Sequence, residues 1–237
     1  MIVLGIETAT PQVGCALGGH EGVLTSFHAA RGRRHAETLT PAIAFMCEQA
    51  DIELKEVGAI AVDVGPGLFT GLRVGVATGK ALAQALRVPM IGLSSLDLLA
   101  YPQRGTRRLI AAVIDARRGE VFAAFYRKVP GGVQRVSEPM VARPEEVAAD
   151  IEARGEECLL VGDGAVRYAA MFSDVSRAEP ASVGAAYPSA AALVELAQPR
   201  ALREEFVQPW EVQPLYLRPA DADTDWERRL QEKGGRR

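Results

Sequence analysis

The sequence has few of the residues on which many metal, redox and secreted proteins depend. Its 237 residues include 3 histidines and 3 cysteines. Cys15, Cys47 and Cys158 lie far apart and form no Cys-x-x-Cys pair, which argues against a zinc site or a redox couple. No two histidines have the His-x3-His spacing of a helical metal site. We therefore expect reduced, buried thiols and no histidine-based catalytic metal site.

Long apolar runs and a strong charge bias are also missing. No uncharged stretch approaches the ~18 residues of a membrane span. The first apolar run is broken at Glu7, which predicts a strand rather than a secretion signal. With 27 basic and 30 acidic residues the formal net charge is −3, so whole-chain electrostatics favours no nucleic-acid partner. We expect a folded cytoplasmic protein with no membrane segment.

The first hundred residues alternate between apolar runs and helical patterns. Three runs predict strands at 2–6, 13–17 and 23–29, and a helix follows in which apolar residues recur at steps of four, three and four. An apolar strand at 59–64 then ends in a glycine-rich turn, and a second helix follows at about 70–87. The order is β-β-β-α-β-α.

The same order starts again after residue 108. The predicted elements are strands at 109–114, 121–126 and about 133–141, a helix at 144–154, a strand at 158–161 and a helix at 165–172. We interpret the chain as an internal duplication. Two such α/β halves with mixed sheets and a cleft between them form the actin, sugar-kinase and heat-shock ATPase superfold.

The domain boundary is predicted from composition. A polar stretch marked by proline and glycine follows residue 100, so we expect an N-terminal half at 1–103 and a C-terminal half at 104–218. Residues 219–237 are rich in charge and predict a polar, mobile tail.

The most distinctive segment is GPGLFTGLR at 65–73, between a strand and a helix start. Its backbone N–H groups could hold an anion at the helix N-terminus. The alternative is a tight turn in which glycine supplies a positive φ. It is not a Walker A loop, because the Gly79-Lys80 pair is followed by Ala81 and lies within the helix.

That second helix carries a column of small residues at i+4 spacing, Gly71, Gly75, Gly79 and Ala83. Each glycine inside a helix costs ~1 kcal/mol relative to alanine, so the column indicates a close contact. The contact is either with the chain's own sheet or neighbouring helix, or with a helix of another subunit.

Two charged groups invite functional interpretation. Arg31, Arg33 and Arg34 precede the first helix and could contact nucleic-acid phosphates, although a solvated loop is the commoner explanation.

Glu7 and Asp115 follow the first strand of each half and are expected to face the cleft, where an ATPase of this superfold holds metal-linked carboxylates. No Gly-x-Ser-x-Gly elbow supports serine hydrolase chemistry.

Six motifs occur in order between residue 2 and about 218: IETA at 6–9, RHAETLTP at 34–41, the segment at 65–73, DAR at 115–117, GDG at 162–164 and PLYLR at 214–218. Together they resemble the TsaB family, also called YeaZ. The resemblance implies a cytoplasmic protein of the actin-like superfold that does no chemistry itself. It implies binding and support of the catalytic paralogue TsaD, with the ATPase TsaE joining the assembly.

The reaction implied for the complex is transfer of a threonylcarbamoyl group from its adenylate to the adenosine beside a tRNA anticodon. This subunit would therefore meet tRNA indirectly and have no catalytic, metal or cofactor residues. In TsaD the two histidines of Asn-His-x-x-x-His hold the metal. Ser95 and Leu99 stand at those positions here, and neither can replace imidazole.

The resemblance also implies that the first two helices form the interface with TsaD, or with a second copy of the chain when it is alone. We therefore interpret seven residues of these helices as interface residues: Leu39, Ile43, Gly71, Leu72, Gly75, Gly79 and Ala83.

The sequence departs from the family pattern at Glu7, Ala9 and Leu68, where Asp, Ser and Ser are more usual. Two missing hydroxyls weaken the case for nucleotide binding by this subunit alone. Two alternatives stay open: a free-standing ATPase-, kinase- or metallopeptidase-like enzyme of the same superfold, and direct tRNA contact through Arg31, Arg33 and Arg34.

Overall fold

Strands and helices alternate along the chain in two similar series. A computed structural model describes residues 1–30 and 34–218. The strands are β1 (Ile2–Glu7), β2 (Val13–Gly19), β3 (Gly22–Ala29), β4 (Val57–Gly65), β5 (Met90–Ser94), β6 (Leu109–Arg117), β7 (Glu120–Val129), β8 (Gly132–Arg135), β9 (Met140–Ala142), β10 (Cys158–Val161) and β11 (Ala178–Pro180). The helices are α1 (His35–Ala50), α2 (Phe69–Leu86), α3 (Ser95–Ala100), α4 (Pro144–Arg154), α5 (Asp163–Arg167), α6 (Ala169–Phe172) and α7 (Ala190–Leu202).

The first sheet has the strand order β3-β2-β1-β4-β5. β2 is antiparallel to β1 and β3, whereas β4 is parallel to β1 and β5. Helices α1 and α2 cover one face, where Leu4 and Ile6 of β1 pack against Leu39 and Val76. Helix α7 covers the other face. The central strands are therefore apolar on both sides.

The second sheet repeats this order as β8-β7-β6-β10-β11, with β9 added against β7. Again β7 is antiparallel to β6 and β8, whereas β10 is parallel to β6 and β11. The repeated order in two mixed sheets confirms the predicted α/β class, the duplication and the actin-like superfold.

Two helices cross between the halves. Helix α7 follows the second sheet in sequence, yet Leu193 and Ala197 pack on the first sheet beside Ala59. Helix α3 follows the first sheet, and Leu96 packs in the core of the second. The predicted division at residues 103 and 104 stays a prediction, and the predicted tail at 219–237 lies outside the described residues.

The structure differs from the sequence pattern at several places, and β5, α3 and β11 are among the elements that were not predicted. The strand expected at 133–141 is two strands, β8 and β9, and Pro139 between them lacks the N–H that a continuous ladder needs. The helix expected at 165–172 is interrupted at Tyr168, where φ is −105°. Helix α7 was not predicted, because its apolar residues show no one-sided stripe. In the described ranges, 1–30 and 34–218, no helix is both long and apolar enough to span a bilayer.

Candidate functional site

The glycine-rich loop before α2 packs against the turn between β1 and β2. Gly65 has φ +103°, and a Cβ at Gly67 would overlap the carbonyl oxygen of Ala9. The Leu68 N–H donates to that same oxygen at 2.6 Å, and the Gly65 N–H donates to Asp63 Oδ1 at 2.7 Å. Two N–H groups of the loop are thus already used within the chain. The tight-turn interpretation fits these contacts better than an anion cradle.

The small-residue column of α2 lies against the chain's own sheet. A Cβ at Gly71 or Gly75 would overlap Thr8, and one at Gly79 would press on Val62. The Thr8 hydroxyl donates a hydrogen bond of 2.8 Å to the Gly71 carbonyl oxygen. Because glycine lacks a Cβ, α2 can approach β1 and β4 closely enough for this bond.

All seven residues assigned to an interface are buried within the chain. Leu39 is 1% and Ile43 5% exposed, and the α2 positions are also buried: Gly71, Leu72, Gly75, Gly79 and Ala83. Their assignment to a partner interface stays a prediction, and in the folded chain they pack against its own sheet and helices. The physical reason is that the glycine column lets the helix lie on the sheet. A partner could also contact the other, exposed faces of α1 and α2.

Those other faces carry small and apolar residues that the motif search missed. On α2, Ala77, Ala81 and Ala85 are exposed at i+4 spacing. On α1, Ala44 is exposed and Phe45 is 55% exposed. We call these five residues the apolar helix face. A solvent-facing helix surface is usually charged, so an uncharged one is a candidate contact surface.

Two buried carboxylates lie at the carboxyl ends of β1 and β4. Ile6 pairs with Val62 in the parallel register, which brings the next residues, Glu7 and Asp63, side by side. Glu7 is 0% and Asp63 1% exposed. Glu7 Oε2 and Asp63 Oδ2 accept no hydrogen bond from the described part of the chain.

Burial of these acids favours their protonated forms. Burial raises the pKa of Glu7 well above its ordinary value, and the charge of Asp63 raises it further. Burial also raises the pKa of Asp63 to about 7, although hydrogen bonds from Ser95 and Gly65 oppose the shift. The pair therefore favours holding a proton near neutral pH.

The second half contributes Asp115 and Asp163. The Asp115 N–H donates to Asp163 Oδ1 at 2.9 Å, and the Asp115 carboxylate meets Arg117 Nη1 at 2.9 Å and Arg167 Nη1 at 3.4 Å. Burial raises the pKa of Asp163 to about 6, and its charge raises that of Glu7. The acids predicted to face the cleft thus belong to one electrostatic cluster, in which Asp115 is neutralised by arginines.

The two positions that match the paralogue's histidines have other uses here. The Ser95 hydroxyl donates to Asp63 Oδ1 at 2.6 Å, and Leu99 is buried in the apolar core of the second half. Across residues 1–30 and 34–218, no three His, Cys, Asp or Glu side chains are placed to hold a metal ion.

The arginines before α1 can be placed only in part. Arg31 and Arg33 lie outside the described residues. Arg34 is exposed, 3.8 Å from Glu37, whereas His35 is buried and its Nε2 lies 2.9 Å from the Thr10 carbonyl oxygen. His35 is therefore a packing residue that links α1 to the β1–β2 turn.

Comparisons with known proteins agree on one family. A family model described as "TsaD: tRNA N6-adenosine threonylcarbamoyltransferase" matches residues 25–226. The Escherichia coli protein "tRNA threonylcarbamoyladenosine biosynthesis protein TsaB" is 33% identical over 168 residues, 69% of this chain and 72% of that protein. The Bacillus subtilis protein of the same name is 27% identical over 95% of this chain and 98% of its own length.

Another relative is longer than this chain, and a solved structure has the same fold. An uncharacterized Mycobacterium leprae protein is 34% identical over 93% of this chain, which spans only 56% of that protein. The structure of YeaZ from Pseudomonas aeruginosa is 31% identical, with a TM-score of 0.80, over 91% of this chain and 99% of its own. The motifs, the duplicated fold and these relatives show that the chain belongs to the TsaB/YeaZ family.

Proposed function

We propose that this protein is a non-catalytic subunit in the biosynthesis of threonylcarbamoyladenosine on tRNA, and that it binds a catalytic paralogue of the TsaD type. The family supports the pathway, since relatives are named for it. The match to a TsaD family model supports a paralogous partner of the same fold. We propose in addition that a TsaE-type ATPase joins the complex and that the chain self-associates when alone.

The apolar helix face is the observation that carries the partner assignment. Ala77, Ala81 and Ala85 leave a smooth surface on which another helix can lie closely. Phe45 adds an aromatic side chain that is 55% exposed on the neighbouring helix. Aromatic side chains are enriched in the buried cores of subunit interfaces.

The buried acids support a non-catalytic role. Asp63 Oδ1 is occupied by the Ser95 hydroxyl and the Gly65 N–H, and Asp115 is paired with arginines. Neither arrangement offers an imidazole or an accessible carboxylate for metal chemistry.

A free-standing nucleotide enzyme is the second candidate. A cavity of about 740 Å³ lies beside the start of α2, lined by Thr70, His35 and, from the second half, Arg117. Calorimetric titration of ATP with magnesium into the isolated chain tests this candidate. Heat of binding that Arg117→Ala removes would favour the enzyme over the subunit.

The subunit proposal is tested by size-exclusion chromatography with light scattering. The chain is measured alone and mixed with the TsaD-type protein of the same organism. We expect a stoichiometric complex that Ala81→Arg abolishes, because a long cation would lie in the apolar helix face. Ala153→Arg, on the exposed side of α4, is the matched control and should bind normally. A chain that ignores the paralogue, or an Ala81→Arg variant that binds as well as wild type, contradicts the proposal.

A further inference from the structure

One edge of α2 carries three cations that the apolar helix face does not include. Arg73 and Lys80 fall on the same side because seven residues make nearly two helical turns, and they lie about 10 Å apart along the axis at ~1.5 Å per residue. Arg87, the left-handed residue that ends the helix, lines the same cavity as Lys80. We call them the basic edge. Lys80 and Arg87 form no ion pair or side-chain hydrogen bond with any described residue.

The segment after α7 places the aromatic side chain of Trp210 beside the basic edge. A cavity of about 680 Å³, here called the Trp210 groove, is lined by Lys80, Gln84, Arg87 and the exposed Trp210. Trp210 is 71% exposed, an unusual position for so large an apolar ring. Among the described residues that line the groove, none is acidic.

Backbone hydrogen bonds hold the segment that carries Trp210 in place. The Met90 N–H donates to the Val207 carbonyl oxygen at 3.0 Å, and the Val207 N–H donates back at 2.9 Å. Three residues further on, Trp210 stands opposite the last turn of α2. The groove is therefore formed before any ligand arrives, which lowers the entropic cost of binding.

A second aromatic group lies at the other end of the basic edge. The Arg73 guanidinium lies 3.8 Å from the centre of the Phe69 ring, and its Nε donates to the Tyr216 hydroxyl at 3.2 Å. Cations and aromatic rings thus occur together at both ends of the edge. Proteins that bind unpaired nucleic acid combine a positive track for phosphates with rings on which bases stack.

We propose that the Trp210 groove and the basic edge bind an unpaired strand of RNA, with a base stacked on Trp210 and phosphates against Lys80 and Arg87. RNA is chosen because this inference rests on the proposed function in tRNA modification. The groove lies to one side of the apolar helix face, so a strand and a partner helix can bind together. The net charge of −3 means that attraction comes from this local cluster.

The test uses Trp210 as its own reporter. The full chain has 2 tryptophans, so Trp226→Phe leaves Trp210 as the only source of indole fluorescence. A short unstructured oligoadenylate is titrated into this variant at several salt concentrations. We expect saturable quenching. Lys80→Ala with Arg87→Ala should reduce the slope of log K against log salt by about 1.4, because each lost phosphate contact on a single strand contributes about 0.7.

The matched control is Arg107→Ala with Lys128→Ala, which removes one exposed arginine and one exposed lysine elsewhere and should leave binding unchanged. Trp210→Ala, followed with end-labelled oligoadenylate, should weaken binding about tenfold or more because one stacked base is lost. Absence of quenching, equal losses in the control, or equally tight binding of AMP alone would overturn the strand site.

These titrations need no partner protein. RNA binding without a complex with the TsaD-type paralogue contradicts the proposed function alone. A complex without RNA binding contradicts only the strand site.

Discussion

Gly75 of α2 lies directly over Thr8, so that a Cβ at position 75 would overlap the Thr8 hydroxyl. That hydroxyl donates a hydrogen bond of 2.8 Å to the Gly71 carbonyl oxygen, one turn earlier in the helix. A single contact therefore joins the end of β1 to the first turns of α2. It shows that the glycine column serves the fold of the first half.

Gly75→Leu is expected to destabilise the isolated chain. Overpacking costs roughly 1–3 kcal/mol and the displaced hydrogen bond about 1 kcal/mol more, which for a chain of this size lowers the Tm by about 5–15 °C. Thermal unfolding followed by circular dichroism measures the shift. Gly105→Leu is the control, because nothing lies within 4 Å of a Cβ there. If Gly75→Leu had the same Tm as wild type, α2 would have to lie further from β1 than the structure shows.

The Glu7–Asp63 pair should make stability fall as pH rises. Burial raises the folded pKa of Asp63 from its ordinary 3.8 to about 7, so the folded state holds more protons than the unfolded state between these values. Stability from this group is complete below about pH 4 and is lost by about pH 7. Asp63→Asn removes the titration and keeps an oxygen that can accept from Ser95 and Gly65.

The measurement is the free energy of unfolding in urea at several pH values. Between pH 4 and pH 8 the free energy of unfolding of Asp63→Asn should rise relative to that of wild type. The difference should reach about 4 kcal/mol, since each pKa unit is worth about 1.4 kcal/mol. Asp174→Asn replaces an exposed aspartate, so its free energy of unfolding should depend on pH in the same way as that of wild type. Parallel curves for Asp63→Asn would mean that Asp63 is ionised at neutral pH in the folded chain.

The sequence predicted elements with a one-sided or continuous apolar pattern, such as α1, α2 and β4, because burial imposes that pattern. It did not reveal α7, which is covered on several sides. It also could not decide which of two small-residue stripes on α2 faces inward. Gly71, Gly75 and Gly79 pack on the sheet because they lack a Cβ, and this leaves the alanines outside. The Asp63–Ser95 bond joins residues 32 positions apart and becomes visible only when the sheet is formed.

The three thiols should differ in reactivity in the folded chain. Burial raises the pKa of Cys15 and of Cys158 to about 12; it also raises that of Cys47, but Cys47 is only half-buried on α1 and stays accessible. We expect iodoacetamide at pH 8 to label Cys47 alone, as read by peptide mass spectrometry, because alkylation needs an accessible thiolate. All three should label in guanidinium chloride. Rapid native labelling of Cys158 would show that the second half opens on that timescale.

The segment after α7 should hold the two halves together through Arg218. The Leu215 N–H donates to the Val64 carbonyl oxygen at 2.6 Å in the first half, and Arg218 donates to Glu120 at 2.7 Å and to the Ala116 carbonyl oxygen at 2.9 Å in the second. Hydrogen bonds to charged groups contribute about 1.5–3 kcal/mol when partly buried. We therefore expect Arg218→Ala to lower the free energy of unfolding by about 2 kcal/mol in urea.

The control for Arg218 is Arg127→Ala, which removes an exposed ion pair with Glu156 within the second half. Exposed pairs contribute little, so this variant should stay within ~0.5 kcal/mol of wild type. Hydrogen exchange adds a test of position. In Arg218→Ala the Leu215 amide should lose protection while the central strand β6 keeps it, because the bond to Val64 depends on the segment staying in place. Equal stability of the two variants would show that the Arg218 contacts do not hold the halves together.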